Sequence, residues 1–264
     1  MFRLSRPGLV AAAALVALLA TGCNSDDKSG NASSSGTSSS GTSAAKSGDT
    51  DAFCKAVLAL DAIPTPDSDD EDQYAEKDVK DFADKISDPV KTITDTAPSK
   101  AKDAVADLND IQHKLAGGDS APLDDPETLG TLGTIHQSVA DECDYKNVDV
   151  TAVDYNYEGI PATLPAGPTN FLLADKSTSQ QTHILVFLKS PEGAPVSVDT
   201  FLADPEGTFG KMTPLSGAAG APSGETGGVV VDLEPGSYLA LCPIPDETGQ
   251  PHFMLGMVTQ FTVS

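Results

Sequence analysis

Hydrophobic positions fall along this chain in three distinct rhythms. Leu9 to Ala20 is an uninterrupted apolar run behind the positive start of Arg3 and Arg6. That run is too short to span a bilayer, which needs about 20 apolar residues, but it fits the apolar segment of a signal peptide. Residues 24–50 then show no periodicity at all, being mostly Ser, Gly, Thr, Ala and Asn. Such a segment buries too little surface to offset the entropy of ordering it, so it predicts an unfolded stalk.

The second rhythm is helical. Val79, Phe82, Ile86, Val90 and Ile93 recur at the spacing of one helix face, with Pro89 expected to kink or split the segment. Val105, Leu108, Ile111 and Leu115 form another stripe, ended by Gly117-Gly118, and Leu129, Leu132, Ile135 and Val139 a third, after Asp125-Pro126-Glu127. Phe53, Val57 and Leu58 indicate a shorter first helix. Four amphipathic segments with short joints predict an antiparallel bundle over residues 51–147.

From about residue 148 the period falls to two. Val153, Tyr155 and Tyr157 alternate with polar neighbours, and continuous apolar runs follow at 170–174, 183–188, 228–233, 238–242 and 258–263. Pro165-Ala166-Gly167-Pro168 and Glu234-Pro235-Gly236 mark turns between them. Residues 198–203 read as a short helix, followed by a long Gly/Ala/Pro loop to about residue 227. Short strands with Gly- and Pro-rich turns predict an all-β sandwich over residues 148–264.

Composition narrows the function classes. The 39 acidic and 16 basic residues give a formal charge of −23, and only the extreme N-terminus is basic. A surface so acidic repels phosphate backbones, which argues against nucleic acid as a partner. The acidic run Asp67–Asp72 lacks the Gly and spaced ligands of a calcium loop and reads as solvated. His113 and His136 lie on or beside helical stripes, where surface or packing roles are the expectation.

Ala20-Thr21-Gly22-Cys23 resembles a bacterial lipobox, although Leu usually stands where Ala20 does. The resemblance implies a signal peptide at 1–22, lipid on Cys23, a linker to residue 50, and residence on the outer face of the cytoplasmic membrane. The partner there is the membrane itself, held through acyl chains rather than a helix. Three cysteines remain in a setting where disulfides persist. Cys54 sits at the start of the first predicted helix and Cys143 at the end of the last, and in an up-down-up-down bundle those ends are neighbours. A Cys54–Cys143 bridge follows, leaving Cys242 as the single thiol.

Cys242 ends an apolar strand, and His252, Met254 and Met257 follow after a loop, while His183 opens an earlier strand. This order resembles the cupredoxin family of blue-copper proteins over roughly residues 149–264. The resemblance implies a Greek-key sandwich and copper held by His183, Cys242 and His252, with Met257 as the weak axial ligand and Met254 its alternative. Soft thiolate favours Cu(I), imidazole suits both oxidation states, and such a site moves one electron or handles copper. Two departures stand out: nine residues separate Cys242 from His252, and Ile184 follows His183 where the family has Asn.

Each of these residues also has a plain packing explanation. Cys242 shares a strand face with Tyr238 and Ala240, and His183 with Leu185 and Phe187. A metal-free lipoprotein that binds an envelope partner is therefore the rival to a copper protein with a redox partner. No flavin or nicotinamide fingerprint and no nucleophile–base motif points to an enzyme. In the mature, unfolded and non-reduced chain, a thiol reagent should label Cys242 alone; labelling of Cys54 or Cys143 would overturn the pairing.

Overall fold

The structure is a computed structural model that describes residues 43–68, 74–178 and 181–264. The expected signal peptide, the lipidation site Cys23, most of the linker and Asp69–Asp72 of the acidic run lie outside the described residues.

Four long helices come first: α1 (Ser43–Asp61), α2 (Glu76–Thr96), α3 (Lys102–Ala116) and, after the single-turn α4 (Ala121–Asp124), α5 (Pro126–Glu142). They pack in a ring, α1 on α2, α2 on α3, α3 on α5 and α5 on α1. Phe53, Val57, Val79, Ile86, Ile93, Val105, Leu108, Ile135 and Val139 share the core between them. Two expectations need correction. Helix α1 begins at Ser43, inside the stretch read as unfolded linker. Once Phe53 and Val57 fix its packed turns, each further residue adds one hydrogen bond at little cost, so the helix extends backwards. Helix α2 also runs unbroken through Pro89. The carbonyl that Pro89 deprives of a partner belongs to Lys85, an exposed residue.

Cys54 and Cys143 are disulfide-bonded, with Cα atoms 5.8 Å apart. Because α1 starts earlier than expected, Cys54 sits in mid-helix rather than at the helix start. The bridge spans 89 residues of chain, a closure worth about 4–5 kcal/mol against the unfolded chain on the entropic account.

Beyond Cys143 the chain builds two sheets. The first contains β1 (Lys146–Val153), β2 (Asn156–Glu158), β4 (Gly167–Asp175) and β8 (Thr226–Leu233), in the order β2-β1-β4-β8. The second contains β3 (Thr163–Leu164), β5 (His183–Lys189), β6 (Thr213–Pro214), β9 (Gly236–Leu241) and β10 (Val258–Val263), ordered β3-β10-β9-β5-β6. The short β7 (Ala219–Ala221) joins β5 from the side. Both sheets are mixed, with β1 parallel to β4 and β10 parallel to β3. The alternation at Val153, Tyr155 and Tyr157 is not one strand. Asp154 and Tyr155, with φ of 37° and 59°, turn the chain between β1 and β2. Within the expected loop before residue 227, α6 (Val198–Ala203) is followed by α7 (Pro205–Phe209), β6 and β7.

Period-two alternation decides what each face touches. Phe171, Leu173, Val229, Val231, Leu185, Phe187, Tyr238 and Ala240 meet between the sheets. On the outside of the second sheet, Leu188, Leu239 and Leu241 pack under Phe201 of α6 and Met212. On the outside of the first, Val230 belongs to the helical core. The helices are thus a layer laid on the sandwich over β4 and β8, while the outer face of β1 stays open at Asp149.

That junction is close. A Cβ on Gly133 of α5 would stand 1.9 Å from the Thr226 carbonyl oxygen, and one on Gly228 would stand 2.3 Å from the His136 Cβ. Asp61, at the end of α1, draws three elements together. One of its oxygens accepts from His136 Nε2 of α5 at 2.8 Å and from the Val230 backbone N–H of β8 at 2.6 Å. The other ring nitrogen of His136 faces the Leu132 carbonyl oxygen at 2.7 Å, so the ring has an acceptor at each nitrogen. Burial alone would lower the pKa of His136, but the Asp61 charge, its hydrogen bond and the Leu132 carbonyl together raise it. His136 is therefore a buried packing residue whose protonated form Asp61 favours, whereas His113 is exposed.

A group whose pKa is raised by folding stabilises fully below its unfolded value and loses that contribution as pH climbs through the folded value. Denaturant unfolding of the wild type should therefore show stability falling with pH above about 6.5, and His136→Gln should flatten that slope. Asp61→Ala, which takes the acceptor from His136 Nε2 and from the Val230 amide of β8, should cost about 1–3 kcal/mol for each donor left unpaired.

Candidate metal centre

The inward face of β5 begins with His183, and the inward face of β9 leads to Cys242 one residue beyond the strand. These strands pair antiparallel with Val186 opposite Leu241, which brings the start of one beside the end of the other. Cys242 keeps its place in the ladder, its N–H donating to the Met257 carbonyl at 3.1 Å and its carbonyl accepting from Phe253 N–H at 3.0 Å.

The nine residues after Cys242 fold into a closed loop of their own. Pro245 and Pro251 face each other across it, and Asp246 N–H donates to the Gln250 carbonyl at 2.8 Å. One Asp246 carboxylate oxygen accepts from Thr248 N–H (2.8 Å), Thr248 Oγ1 (2.7 Å) and Gln250 N–H (2.9 Å). Those donors, the Thr248 bonds foremost, hold its carboxyl below the usual carboxylate range. The loop therefore returns on itself, and His252 N–H donates to the Ile244 carbonyl at 2.8 Å. A one-turn 3₁₀ helix, His252–Leu255, then ends at Gly256 with φ 116°, a conformation only glycine adopts easily. The long spacing read from the sequence thus costs no proximity.

The result is a convergence of three donors. His183 Nδ1 and His252 Nδ1 lie 3.2 Å apart, and Cys242 Sγ lies 3.4 Å from His252 Nδ1. All three donor atoms fall within 4.8 Å of one another, and all three residues are fully buried. Separations of this size are what metal–ligand bonds of roughly 2 Å leave between neighbouring donors. Two imidazoles and one sulfur are also the equatorial set that suits copper in both oxidation states. The residues fit the metal.

Electrostatics prepares them for it. Burial lowers the pKa of His252, with further repulsion from His183 only partly offset by Asp246, taking it to about 4. Burial likewise lowers that of His183 against the pull of Asp175 and Asp154. Both rings are neutral at physiological pH and have lone pairs to offer. Burial raises the Cys242 thiol, moderated by Ile184 and Ile244 N–H groups and by Tyr157. The Ile184 N–H points at the sulfur from 3.5 Å, so the side chain of the residue after His183 matters less here than its backbone. The buried Tyr157 hydroxyl donates to the Ile184 carbonyl and holds that segment in place.

Met257 is fully buried in the same core as Cys242, and its N–H donates to the His252 carbonyl at 3.0 Å. Met254 is 39 % exposed. Several surrounding residues had no signal in the sequence. Gln181 sits in a polar stretch before β5, yet its Oε1 lies 2.8 Å from His252 Nε2. Tyr155 packs its ring edge-on to His252, centroids 4.9 Å apart. Asp175 is buried at the end of β4, one oxygen accepting from Ser177 N–H at 2.8 Å. Asp246 alone was readable in principle, from a Pro-Asp-x-Thr-Gly turn.

The C-terminal half of this chain is a mixed two-sheet sandwich with a convergent His–Cys–His set, the arrangement expected from its resemblance to cupredoxins. No protein-family model and no curated protein matches the chain. Among solved structures it is similar to auracyanin B, at 20% identity over 45% of this chain and 88% of that one, with a TM-score of 0.32. It is also similar to auracyanin A, a "blue" copper protein of Chloroflexus aurantiacus, at 16% identity over 45% of this chain and 98% of that one (TM-score 0.30). Rusticyanin from Thiobacillus ferrooxidans aligns at 15% identity over 45% of this chain and 78% of that one (TM-score 0.28). At such scores the likeness adds no weight to the geometry, which stands by itself.

Proposed function

We propose that this chain is a membrane-anchored extracytoplasmic copper protein that passes single electrons or hands copper on, rather than an enzyme that turns over a substrate. The observation that carries the reading is the meeting of His183 Nδ1, His252 Nδ1 and Cys242 Sγ in one buried pocket, drawn from three distant stretches of chain. Copper, when bound, supplies a one-electron couple. The chain supplies neutral imidazoles, a thiol that releases its proton to solvent as the metal binds, and a ladder and closed loop that hold the donors still. Rigid donors keep reorganisation small when charge changes. Met257, buried beside Cys242, is the axial candidate, and the exposure of Met254 counts against it. Support for the anchor comes from the Ala20-Thr21-Gly22-Cys23 sequence; among the described residues, no helix is long and apolar enough to cross a membrane.

Copper titration of the mature chain tests the site. One equivalent should produce an intense visible thiolate-to-copper band, absent in Cys242→Ala and His252→Ala. Met257→Leu should keep the band and alter the reduction potential, while Met254→Leu changes neither. Failure of the wild type to take up copper would leave the metal-free reading, a tethered sandwich that binds an envelope partner. For the anchor, Cys23→Ala should move the protein from the membrane to the soluble fraction of a producing bacterium; unchanged fractionation would exclude lipid on Cys23.

A further inference from the structure

His252 is fully buried, although it sits at the edge of the sandwich on a one-turn helix flanked by the exposed Met254 and Leu255. What covers it comes from two other places in the chain. Gln181, just before β5, sets Oε1 2.8 Å from Nε2. Tyr155, at the turn between β1 and β2, lays its ring edge-on at 65° to the imidazole. Tyr155 reaches that position only through a left-handed backbone, φ 59°, beside Asp154 at φ 37°. Non-glycine residues occupy that region at a cost of roughly 1 kcal/mol or more, and do so when surrounding contacts hold them there. Here Asp154 accepts hydrogen bonds from Thr178 N–H and Thr178 Oγ1, both at 2.9 Å, which pins the turn to the segment leading toward Gln181.

We propose that Gln181 and Tyr155 form a cap over His252, Gln181 fixing which ring nitrogen carries the proton and Tyr155 sealing the ring from solvent. This rests on the copper reading for its purpose, though not for its geometry. An amide oxygen can only accept, so Nε2 must donate to it, and the lone pair is left on Nδ1 facing Cys242 Sγ and His183 Nδ1. Without an acceptor at Nε2, the two tautomers compete, and one of them offers the metal no donor at Nδ1. An amide performs this task without bringing a negative charge to the site, whereas a carboxylate in its place would enrich the ring and favour the higher oxidation state of copper. Because the imidazole edge is closed, copper loss to an external chelator requires the cap to open.

Nitrogen-15 spectra of the histidine rings in the metal-free full chain at neutral pH test the tautomer directly. The wild type should show His252 protonated at Nε2; protonation at Nδ1 would overturn the proposal. Gln181→Leu should populate the Nδ1–H form and weaken copper binding roughly 10–100-fold, whereas Gln181→Glu, which keeps the acceptor, should restore the tautomer and shift the copper potential downward. Tyr155→Gly suits the left-handed backbone, so it removes the ring without straining the turn. It should keep the tautomer while speeding copper transfer to a chelator. Unchanged tautomer and affinity in Gln181→Leu would sink the positioning role, and unchanged transfer in Tyr155→Gly would sink the seal. Should the wild type bind no copper at all, the copper reading fails, and the ring spectra still decide what Gln181 does.

Discussion

The pairing of β5 with β9 is the constraint on which the rest of this molecule depends. With Val186 opposite Leu241, alternation sends His183, Leu185 and Phe187 into the same interior as Tyr238, Ala240 and Cys242. A slip of one residue would turn the histidine or the thiol out against the α6 layer and put Leu241 or Ile184 in its place. The hydrophobic effect enforces the register, because Phe187, Tyr238 and Ala240 must stay between the sheets. The donors are carried by residues that have nothing to do with metal. Only His252 is placed by other means, through a loop whose hydrogen bonds converge on Asp246.

Much of this was open to reading from residue order. The helical stripes, the change to period two near residue 148 and the Cys54–Cys143 bridge follow from local spacing or cysteine parity, and the meeting of His183, Cys242 and His252 was implied by the resemblance to cupredoxins. What stayed hidden depends on contacts between distant segments. Gln181 stands in a polar stretch with no periodicity, and nothing local sets it apart from its neighbours. Pro89 signals a break by itself, but one missing hydrogen bond at an exposed residue does not outweigh the buried face of Val79, Ile86, Val90 and Ile93. His136 gave no sign of the carboxylate that favours its protonated form, because Asp61 lies 75 residues away.

The run Val229-Val230-Val231 held a clue of another kind. A strand with one wet face alternates, and a strand covered on both faces reads as continuously apolar. Its neighbour β4 behaves the same way, with Phe171 and Leu173 inward while Leu172 and Asn170 are buried on the other side. Asn170 donates from Nδ2 to the His136 carbonyl at 3.2 Å and to Asn147 Oδ1 at 3.1 Å. The polar atoms at this junction are as specific as the apolar ones, and the small residues Gly133 and Gly228 let the backbones approach closely enough for both.

The position of the disulfide has a mechanical consequence. A pull applied to residues before Ser43 and resisted by the sandwich travels along α1 to Cys54, crosses to Cys143, and enters β1 three residues later. Helices α2 and α3 lie on the branch that the sulfur bridge bypasses. While the bridge is intact, tension cannot reach them. Tension on the amino-terminal end is thus delivered to β1, which is flanked by β2 and β4 in the first sheet, while His183 and Cys242 belong to the second and His252 to the loop that joins two of its strands.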